Sequence, residues 1–226
     1  MEREGEAALP LLIDDSLSLI NRTGAHYIAR DLVGAFADRG VVRRWRMFGA
    51  ALPSDRACKV LGRLMLRELQ HLGDAPLLPW PQPPGPHIKL FLDPLYVLRS
   101  RLCERDVVLC HDIGPLTHPA LYLPSTARAY ERAYAKILRE RPGLVFVSHA
   151  SRQAFAARFG SAFRLMQAIP LYLRAGSVDG PLSPVDGCGE RFLLSVGALE
   201  RRKNHLATIE AYAGSGLASR NVGLVI

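Results

Sequence analysis

Short apolar runs alternate with amphipathic stretches along most of this chain. Apolar runs that end in polar residues predict strands in PLLIDDSLSLI, VVRRWRMFG, DVVLCHDIG, LVFVSHA and FRLMQAIPLYL. Helical periodicity predicts helices in TGAHYIARDLVGAFADRG, ending at Gly40, and in SDRACKVLGRLMLRELQHLG, PSTARAYERAYAKILRERPG and SRQAFAARFG. The prolines of residues 75–87 predict a loop. Strands that alternate with helices are typical of an α/β fold, with a parallel sheet covered by helices on both faces.

A change of composition divides this pattern into two parts. Residues 174–190, RAGSVDGPLSPVDGCGE, are rich in Gly, Pro, Ser and Asp and predict a linker after a first domain over 1–173. The pattern restarts over 191–226 with a strand, a helix and a strand in RFLLSVGAL, KNHLATIEAYAG and NVGLVI. One such unit cannot cover both faces of its sheet. We therefore expect 191–226 to be the incomplete start of a second domain in a longer protein.

Composition narrows the classes of partner. The 226 residues carry a net charge of +8, which favours anionic partners such as nucleotides or an anionic membrane surface. Nucleic acid is not expected, because no helix-turn-helix, RNA-recognition or zinc-finger pattern is present. No run approaches the roughly 20 apolar residues of a membrane span, and the acidic start does not resemble a secretory signal. The four unpatterned cysteines predict reduced thiols, no metal site and a cytoplasmic protein.

Polar clusters follow several predicted strands, at the edge where open parallel sheets bind ligands. In NRTGAHY, Gly24 would let the backbone approach a ligand at a helix start, although an ordinary turn gives the same pattern. His111 and Asp112 follow VVLC. His111 either contacts a substrate hydroxyl or moves a proton beside that carboxylate, or it is bonded to a nearby carbonyl. Ser148 or Ser151 is expected to cap the next helix.

The segment VGALERRKNH, residues 196–205, places Arg201, Arg202 and Lys203 between a strand end and a helix start. Cations at the positive end of a helix oppose its dipole. Such a local cost indicates that an anion is expected there, because residues that break local rules cluster at functional sites. The segment therefore predicts a binding site for a phosphate group, with at least one of the three cations left in solvent.

A second basic pattern lies on the helix predicted over residues 54–72. Four cations fall along one face of that helix: Arg56, Lys59, Arg63 and Arg67. Such a face could dock on anionic lipid. A solvated cationic face is the other interpretation.

Taken in order, these clusters resemble the glycosyltransferase family 4 enzymes, which have two Rossmann-like domains in the GT-B arrangement. NRTGAHY is similar to the family's T-G-I-x-R-Y loop, and HDIGPLTHP to its H-D-x-x-P-L-x-H-P segment. VSHASR is similar to V-S-x-x-S-R, and VGALERRKN to the V-G-x-x-x-x-R-K-N motif that opens the second domain. The resemblance implies a Rossmann-like, acceptor-side domain over 1–173 and the start of the nucleotide-sugar domain over 191–226.

The resemblance also implies an activity: transfer of a hexosyl-type sugar from a nucleotide-diphosphate donor to an acceptor hydroxyl, with retention and without a metal or other cofactor. The acceptor would be a saccharide or a lipid-linked saccharide in polysaccharide or glycolipid biosynthesis, in the cytoplasm or on the cytosolic face of a membrane. The residues implied for the nucleotide sugar are Gly24, Gly197, Arg202 and Lys203, and those for catalysis are His111 and Asp112.

Two departures and two alternatives accompany this resemblance. Ala25 and His26 stand where the family usually has isoleucine and glycine. The family's later pair of glutamates would follow Ile226, so we expect the chain as given to be inactive or nearly so. The alternatives are an inverting GT-B transferase with His111 as general base, and a non-catalytic nucleotide-binding or partner subunit with a degenerate GT-B fold.

Overall fold

The computed structural model shows two compact units, one over residues 1–171 and one over 172–226. The described residues are 9–20, 24–49, 51, 53–71, 78–172 and 189–226. The linker predicted over 174–190 lies outside these residues, apart from its last two positions. The larger unit contains a seven-stranded sheet and the smaller unit a two-stranded sheet.

The sheet of the larger unit has the strand order β3-β2-β1-β4-β5-β6-β7. All neighbouring strands are parallel except β2 and β3, which are antiparallel. The strands are β1 (Leu11–Asp14), β2 (Gly40–Arg44), β3 (Met47–Phe48), β4 (Ile88–Phe91), β5 (Val107–Cys110), β6 (Gly143–Phe146) and β7 (Met166–Ala168). The α/β class and the mostly parallel sheet predicted from the sequence are confirmed.

Helices flank this sheet and connect its strands. They are α1 (Gly24–Ala35), α2 (Asp55–His71), α3 (Gly114–Thr117), α4 (Pro124–Glu140) and α5 (His149–Phe159). A 3-10 turn over Ser16–Leu19 follows β1, and a longer one over Pro94–Arg99 follows β4 and packs against α4. The first helix is shorter than predicted: α1 ends at Ala35, and Gly40 begins β2. A Cβ at Gly40 would overlap the Leu11 carbonyl, so glycine allows the two strands to pair.

Two parts of the sheet differ from the pattern read in the sequence. The sequence did not predict β4, which lies between β1 and β5. Its apolar run is interrupted by Lys89, whose buried ammonium lies 3.0 Å from Asp106. The single strand expected in VVRRWRMFG is instead a hairpin, because the chain reverses at Trp45, which has a φ of 56°.

The proline-rich loop predicted over 75–87 is irregular over its described residues, 78–87, yet it contributes to the core. Trp80 is buried, and its indole N–H donates to Glu68 of α2 at 3.0 Å. The indole of Trp45 donates to the other oxygen of the same carboxylate at 2.8 Å. Glu68 thereby fixes both the loop and the β-hairpin against α2.

Aromatic packing fixes α5 beside the end of the sheet. The Phe155 ring is fully buried, with its centroid 5.3 Å from Phe146 of β6 and 5.9 Å from Tyr134 of α4. Phe159 and Phe163 pack against the same ring at 5.1 and 5.7 Å. Aromatic rings dominate core energetics because each removes a large apolar area from water. This cluster therefore holds α5 against β6 and α4.

The smaller unit is a single strand–helix–strand. Strand β8 (Phe192–Leu194) pairs in parallel with β9 (Gly223–Val225), and helix α6 (His205–Gly214) lies between them in sequence. A 3-10 turn over Arg201–Lys203 leads into α6. All three residues of β8 are exposed.

Candidate functional site

The carboxyl ends of the parallel strands form one edge of the larger sheet. From β1 the chain passes to β2 on one side, and β4 lies on the other side, which makes β1 and β4 a topological switch point. Open α/β sheets bind ligands in the crevice at such a point. Asp15, Asp93, His111 and Ser148 follow the ends of β1, β4, β5 and β6. The fold therefore gathers polar residues from distant parts of the sequence at one edge.

The His111 ring is half-buried at this edge and has a defined orientation. Its Nε2 lies 3.0 Å from the Leu92 carbonyl oxygen, which can only accept a hydrogen bond. Nε2 therefore carries a proton, and in the neutral ring Nδ1 is the acceptor. The carbonyl-bonded interpretation of His111 is confirmed, and the same bond presents Nδ1 as the atom that can act on a ligand.

Asp93 was missed in the sequence, although it lies next to the residue that orients His111. Its carboxylate is buried and accepts hydrogen bonds from the Leu95 amide at 2.8 Å and the Tyr130 hydroxyl at 3.0 Å. Burial raises the pKa of the Asp93 carboxyl above its ordinary value, and the nearby His111 charge opposes this rise. The sequence signal was an aspartate before a proline after a strand, which is visible only once β4 is recognised.

Asp112 is exposed and has a structural contact of its own. Its Oδ1 accepts the Gly114 amide at 2.8 Å, which closes the turn into α3. The Asp112 carbonyl accepts the Tyr134 hydroxyl at 3.0 Å. These contacts give Asp112 a role in forming the turn, and its catalytic role stays a prediction.

The start of α5 is tied to the same edge. Ser148 is the N-cap, and its Oγ accepts the Ser151 amide at 3.1 Å, so the capping prediction is confirmed. The Ser151 hydroxyl donates to the His111 carbonyl oxygen at 3.1 Å. The carbonyl groups of His111 and Asp112 therefore accept hydrogen bonds from α5 and α4, respectively.

Gly24 is the first residue of α1 and is exposed. A Cβ built on it would meet nothing within 4 Å, so the backbone there is open to an approaching group. The preceding residues of the predicted loop, 21–23, lie outside the described residues.

Two buried ion pairs join the carboxyl ends of β1 and β2. Asp14 is opposite Arg43 in the strand register, and the two fully buried side chains form an ion pair. Arg43 also donates to the Ser100 hydroxyl at 2.8 Å. Arg44 donates from Nε to Asp15 at 2.7 Å, while burial raises the pKa of the Asp15 carboxyl. The signal for these pairs was an Asp-Asp and an Arg-Arg at the ends of two adjacent strands.

In the smaller unit, the structure groups the remaining predicted residues in one exposed turn. Arg201, Arg202 and Lys203 all have exposed side chains. Arg202 donates from Nε to Glu200 at 2.6 Å, which orients its guanidinium. Within the part of the chain that the structure describes, Glu200 is the only carboxylate paired with these three cations. The turn therefore carries an excess of positive charge.

The backbone of this turn is held from within. One ring nitrogen of His205 lies 3.1 Å from the Ala198 carbonyl oxygen, and the other lies 3.4 Å from the Ser195 hydroxyl. A Cβ at Gly197 would lie 3.3 Å from Cγ of Lys203, so glycine makes room for the lysine stem. Asn204, at φ 50°, precedes α6 without a side-chain cap bond. Arg202 and Lys203 thus directly precede Asn204 and the amide groups at the start of α6.

Other classes of site find less support among the described residues. No three His, Cys, Asp or Glu side chains there are grouped as a metal ion would require. Cys58, Cys103 and Cys110 are free thiols, and Cys188 lies outside the described range. No helix in that range is long and apolar enough to cross a membrane. Comparison with protein-family models, with curated proteins and with solved structures finds no match for this chain.

Proposed function

We propose that the protein is a retaining glycosyltransferase that moves a sugar from a nucleotide-diphosphate donor to an acceptor hydroxyl. One observation carries the proposal: the cationic turn of residues 201–203 is exposed, oriented and adjacent to the start of α6. The order of the four motifs along the chain supports the same assignment. In this proposal the larger unit is the Rossmann-like acceptor domain of a GT-B enzyme, and residues 191–226 begin its donor domain.

The chemistry of the donor explains why cations are needed in this turn. When the sugar leaves, the nucleotide diphosphate gains negative charge. Fixed positive groups stabilise that charge without reorganising during the reaction. Arg202 can donate two parallel hydrogen bonds to phosphate oxygens, and Lys203 adds a point charge. The amides at the start of α6 add further donors, so the proposed reaction needs no metal.

In the larger unit, His111 and Gly24 would serve the reacting end of the substrates. The Nδ1 atom of His111 is the ring nitrogen that can accept a hydrogen bond from a sugar hydroxyl, because Nε2 is bonded to Leu92. Gly24 has open space where a Cβ would be, which suits close approach of a ligand to the backbone. Asp112, next to His111, would contribute negative charge near the transferring sugar.

The surface of α2 supports an acceptor held on an anionic membrane. Its four sequence-predicted cations are all exposed: Arg56, Lys59, Arg63 and Arg67. Val60 and Leu64, at the same helical spacing, are 53% and 49% exposed. Cations around exposed apolar side chains are typical of helices that rest in a lipid interface.

The test is release of nucleotide diphosphate by the full product of the gene, supplied with UDP-, GDP- and dTDP-sugars and a set of saccharide and lipid-linked acceptors. One donor should be consumed. The double variant Arg202→Ala, Lys203→Ala should lose roughly 100-fold or more in rate, since each charged hydrogen bond contributes about 1.5–3 kcal/mol. Arg220→Ala, another exposed cation of the smaller unit, is the matched control and should retain the rate.

Two other results would replace this proposal. Undiminished release by the double variant would remove the cationic turn from the donor site. Nucleotide binding without release, in folded protein and with every donor and acceptor, would favour the non-catalytic nucleotide-binding subunit.

A further inference from the structure

A cavity of ≈ 440 Å³ lies in the larger unit beside the end of α4. Its walls are the segment that leads into the amino end of β5 and the last turns of α4, which lead into the amino end of β6. His111 follows the opposite, carboxyl end of β5. The cavity is therefore separate from the edge described above. Its volume is within the range of roughly 300–1,000 Å³ that small-molecule sites occupy.

The charged groups that line this cavity are unbalanced. They are Arg99, Arg101, Lys136, Arg139 and Glu140. Arg99 pairs with Glu68 at 3.7 Å, and Arg139 pairs with Glu140 at 2.9 Å. Arg101 and Lys136 form no ion pair with any carboxylate of the described residues. Two cations thus remain to meet a negatively charged ligand.

The Lys136 ammonium group is partly desolvated and lies near other cations. Its half-buried ammonium donates to the Ser100 carbonyl oxygen at 2.7 Å, which leaves two N–H groups for another acceptor. Burial lowers the pKa of Lys136; the charge of Glu140 opposes this lowering, and the charges of Arg139 and Arg99 add to it. A cation that is partly desolvated among other cations is unfavourable unless an anion joins it. A dianion in the cavity would accept these hydrogen bonds and remove the repulsion.

We propose that this cavity binds the phosphate group of a phosphomonoester. A phosphate dianion matches the two unpaired cations in charge, and it accepts from both a guanidinium fork and an ammonium group. The remaining volume accommodates the organic part of a small ligand. The phosphate group belongs either to a soluble metabolite or to a lipid headgroup, and the two sources share this chemistry. The site is independent of the proposed donor site in the smaller unit.

The experiment is calorimetric titration of the whole chain with inorganic phosphate and with glycerol 3-phosphate. Lys136→Gln and Arg101→Gln should each weaken binding about tenfold, the effect of losing one charge-assisted hydrogen bond. Arg128→Gln is the matched control, because Arg128 is an exposed cation of α4 outside the cavity lining. Glu140→Gln removes the only carboxylate among the described residues of the lining and should tighten binding several-fold. A misfolded variant cannot produce that gain.

The source of the phosphate is separated by a second titration, with phosphatidylcholine vesicles that contain phosphatidic acid. Binding of glycerol 3-phosphate that depends on Lys136 supports a soluble ligand. Binding of the vesicles alone, with the same dependence, supports a lipid headgroup. The proposal is overturned if no probe binds, or if the Lys136, Arg101 and Arg128 variants all bind as the unaltered protein does.

Discussion

Among the described residues, adjacent cations end strand β2 and also lie in the turn after strand β8, with opposite outcomes. Arg43 and Arg44 end β2, where they are buried and paired with Asp14 and Asp15. Residues 201–203 follow β8, where the side chains are exposed and Glu200 is the only carboxylate paired with them among the described residues. Similar runs of basic residues thus form buried ion pairs in the larger unit and an exposed, positively charged turn in the smaller unit.

The neighbouring strand decides between the two outcomes. Beside β2 lies β1, which presents a carboxylate to each arginine in parallel register. Beside β8 lies β9, whose residues are all apolar or glycine. A basic pair at a strand end therefore indicates a ligand site only when the adjacent strand supplies no acid. Four tests of this difference follow.

Arg43→Ala should give the largest loss of stability. It leaves the buried Asp14 carboxylate without its partner, and such a broken pair costs about 3–5 kcal/mol of unfolding free energy. Urea unfolding measures the loss. Arg202→Ala, which breaks an exposed pair, is the matched control and should cost less than about 1 kcal/mol. Equal losses in the two variants would contradict the contrast between the two cationic pairs.

Asp15→Asn should change how stability depends on pH. Burial raises the pKa of Asp15 in the folded state above its unfolded value of 3.8, so the folded protein binds this proton more tightly. The stability contributed by Asp15 is therefore fully present below pH 3.8 and is lost as the pH rises through the folded pKa.

The unfolding free energy of the Asn variant, relative to that of the unaltered protein, should consequently increase as the pH rises through that interval. Urea unfolding at a series of pH values measures the difference. If this difference in unfolding free energy stays constant with pH, burial does not raise the pKa of Asp15.

Gly197→Ala and Gly24→Ala test whether an added methyl group is tolerated at each of the two predicted binding-site glycines. The new methyl group at 197 would lie 3.3 Å from the Lys203 stem, so the lysine must shift, and nucleotide diphosphate binding should weaken several-fold. At 24 the methyl group meets nothing, so folding should be unchanged within about 0.5 kcal/mol. Calorimetric titration and urea unfolding measure the two effects. If Gly197→Ala binds nucleotide diphosphate as tightly as the unaltered protein, then Gly197 is not needed to position Lys203 for binding.

The double variant Arg202→Ala, Lys203→Ala should have only a small effect on folding. Both side chains are exposed, so the unfolding free energy should change by no more than about 1 kcal/mol. Thermal or urea unfolding checks this value. A larger loss would mean that the turn is needed for the fold of the smaller unit, and its charges would then need no ligand to explain them.

Much of the fold follows from local pattern, and the exceptions depend on distant partners. The apolar runs revealed β1, β5, β6 and β7, and helical spacing revealed α2, α4 and α5. Strand β4 was hidden because Lys89 interrupts it, and that lysine can be buried only with Asp106, 17 residues away. The β2–β3 hairpin was hidden because its reversal occurs at Trp45, a residue type that gives no turn signal.

The candidate site follows the same rule. His111 was visible as a polar residue after an apolar strand. Its partner Leu92 and its neighbour Asp93 follow β4, so they could not be found before that strand was known. The pairing of Arg43 with Asp14 likewise needs the β1–β2 register, which the two separate patterns do not contain.

The most direct test of the open cationic turn is titration of the full product of the gene with UDP, GDP and dTDP, compared with its double variant Arg202→Ala, Lys203→Ala. We expect one of these nucleotides to bind the unaltered protein, and binding by the folded double variant to be at least about 100-fold weaker. Equal affinity in the two proteins, or no binding of any nucleotide to the unaltered protein, would contradict the assignment of residues 201–203 as the diphosphate site.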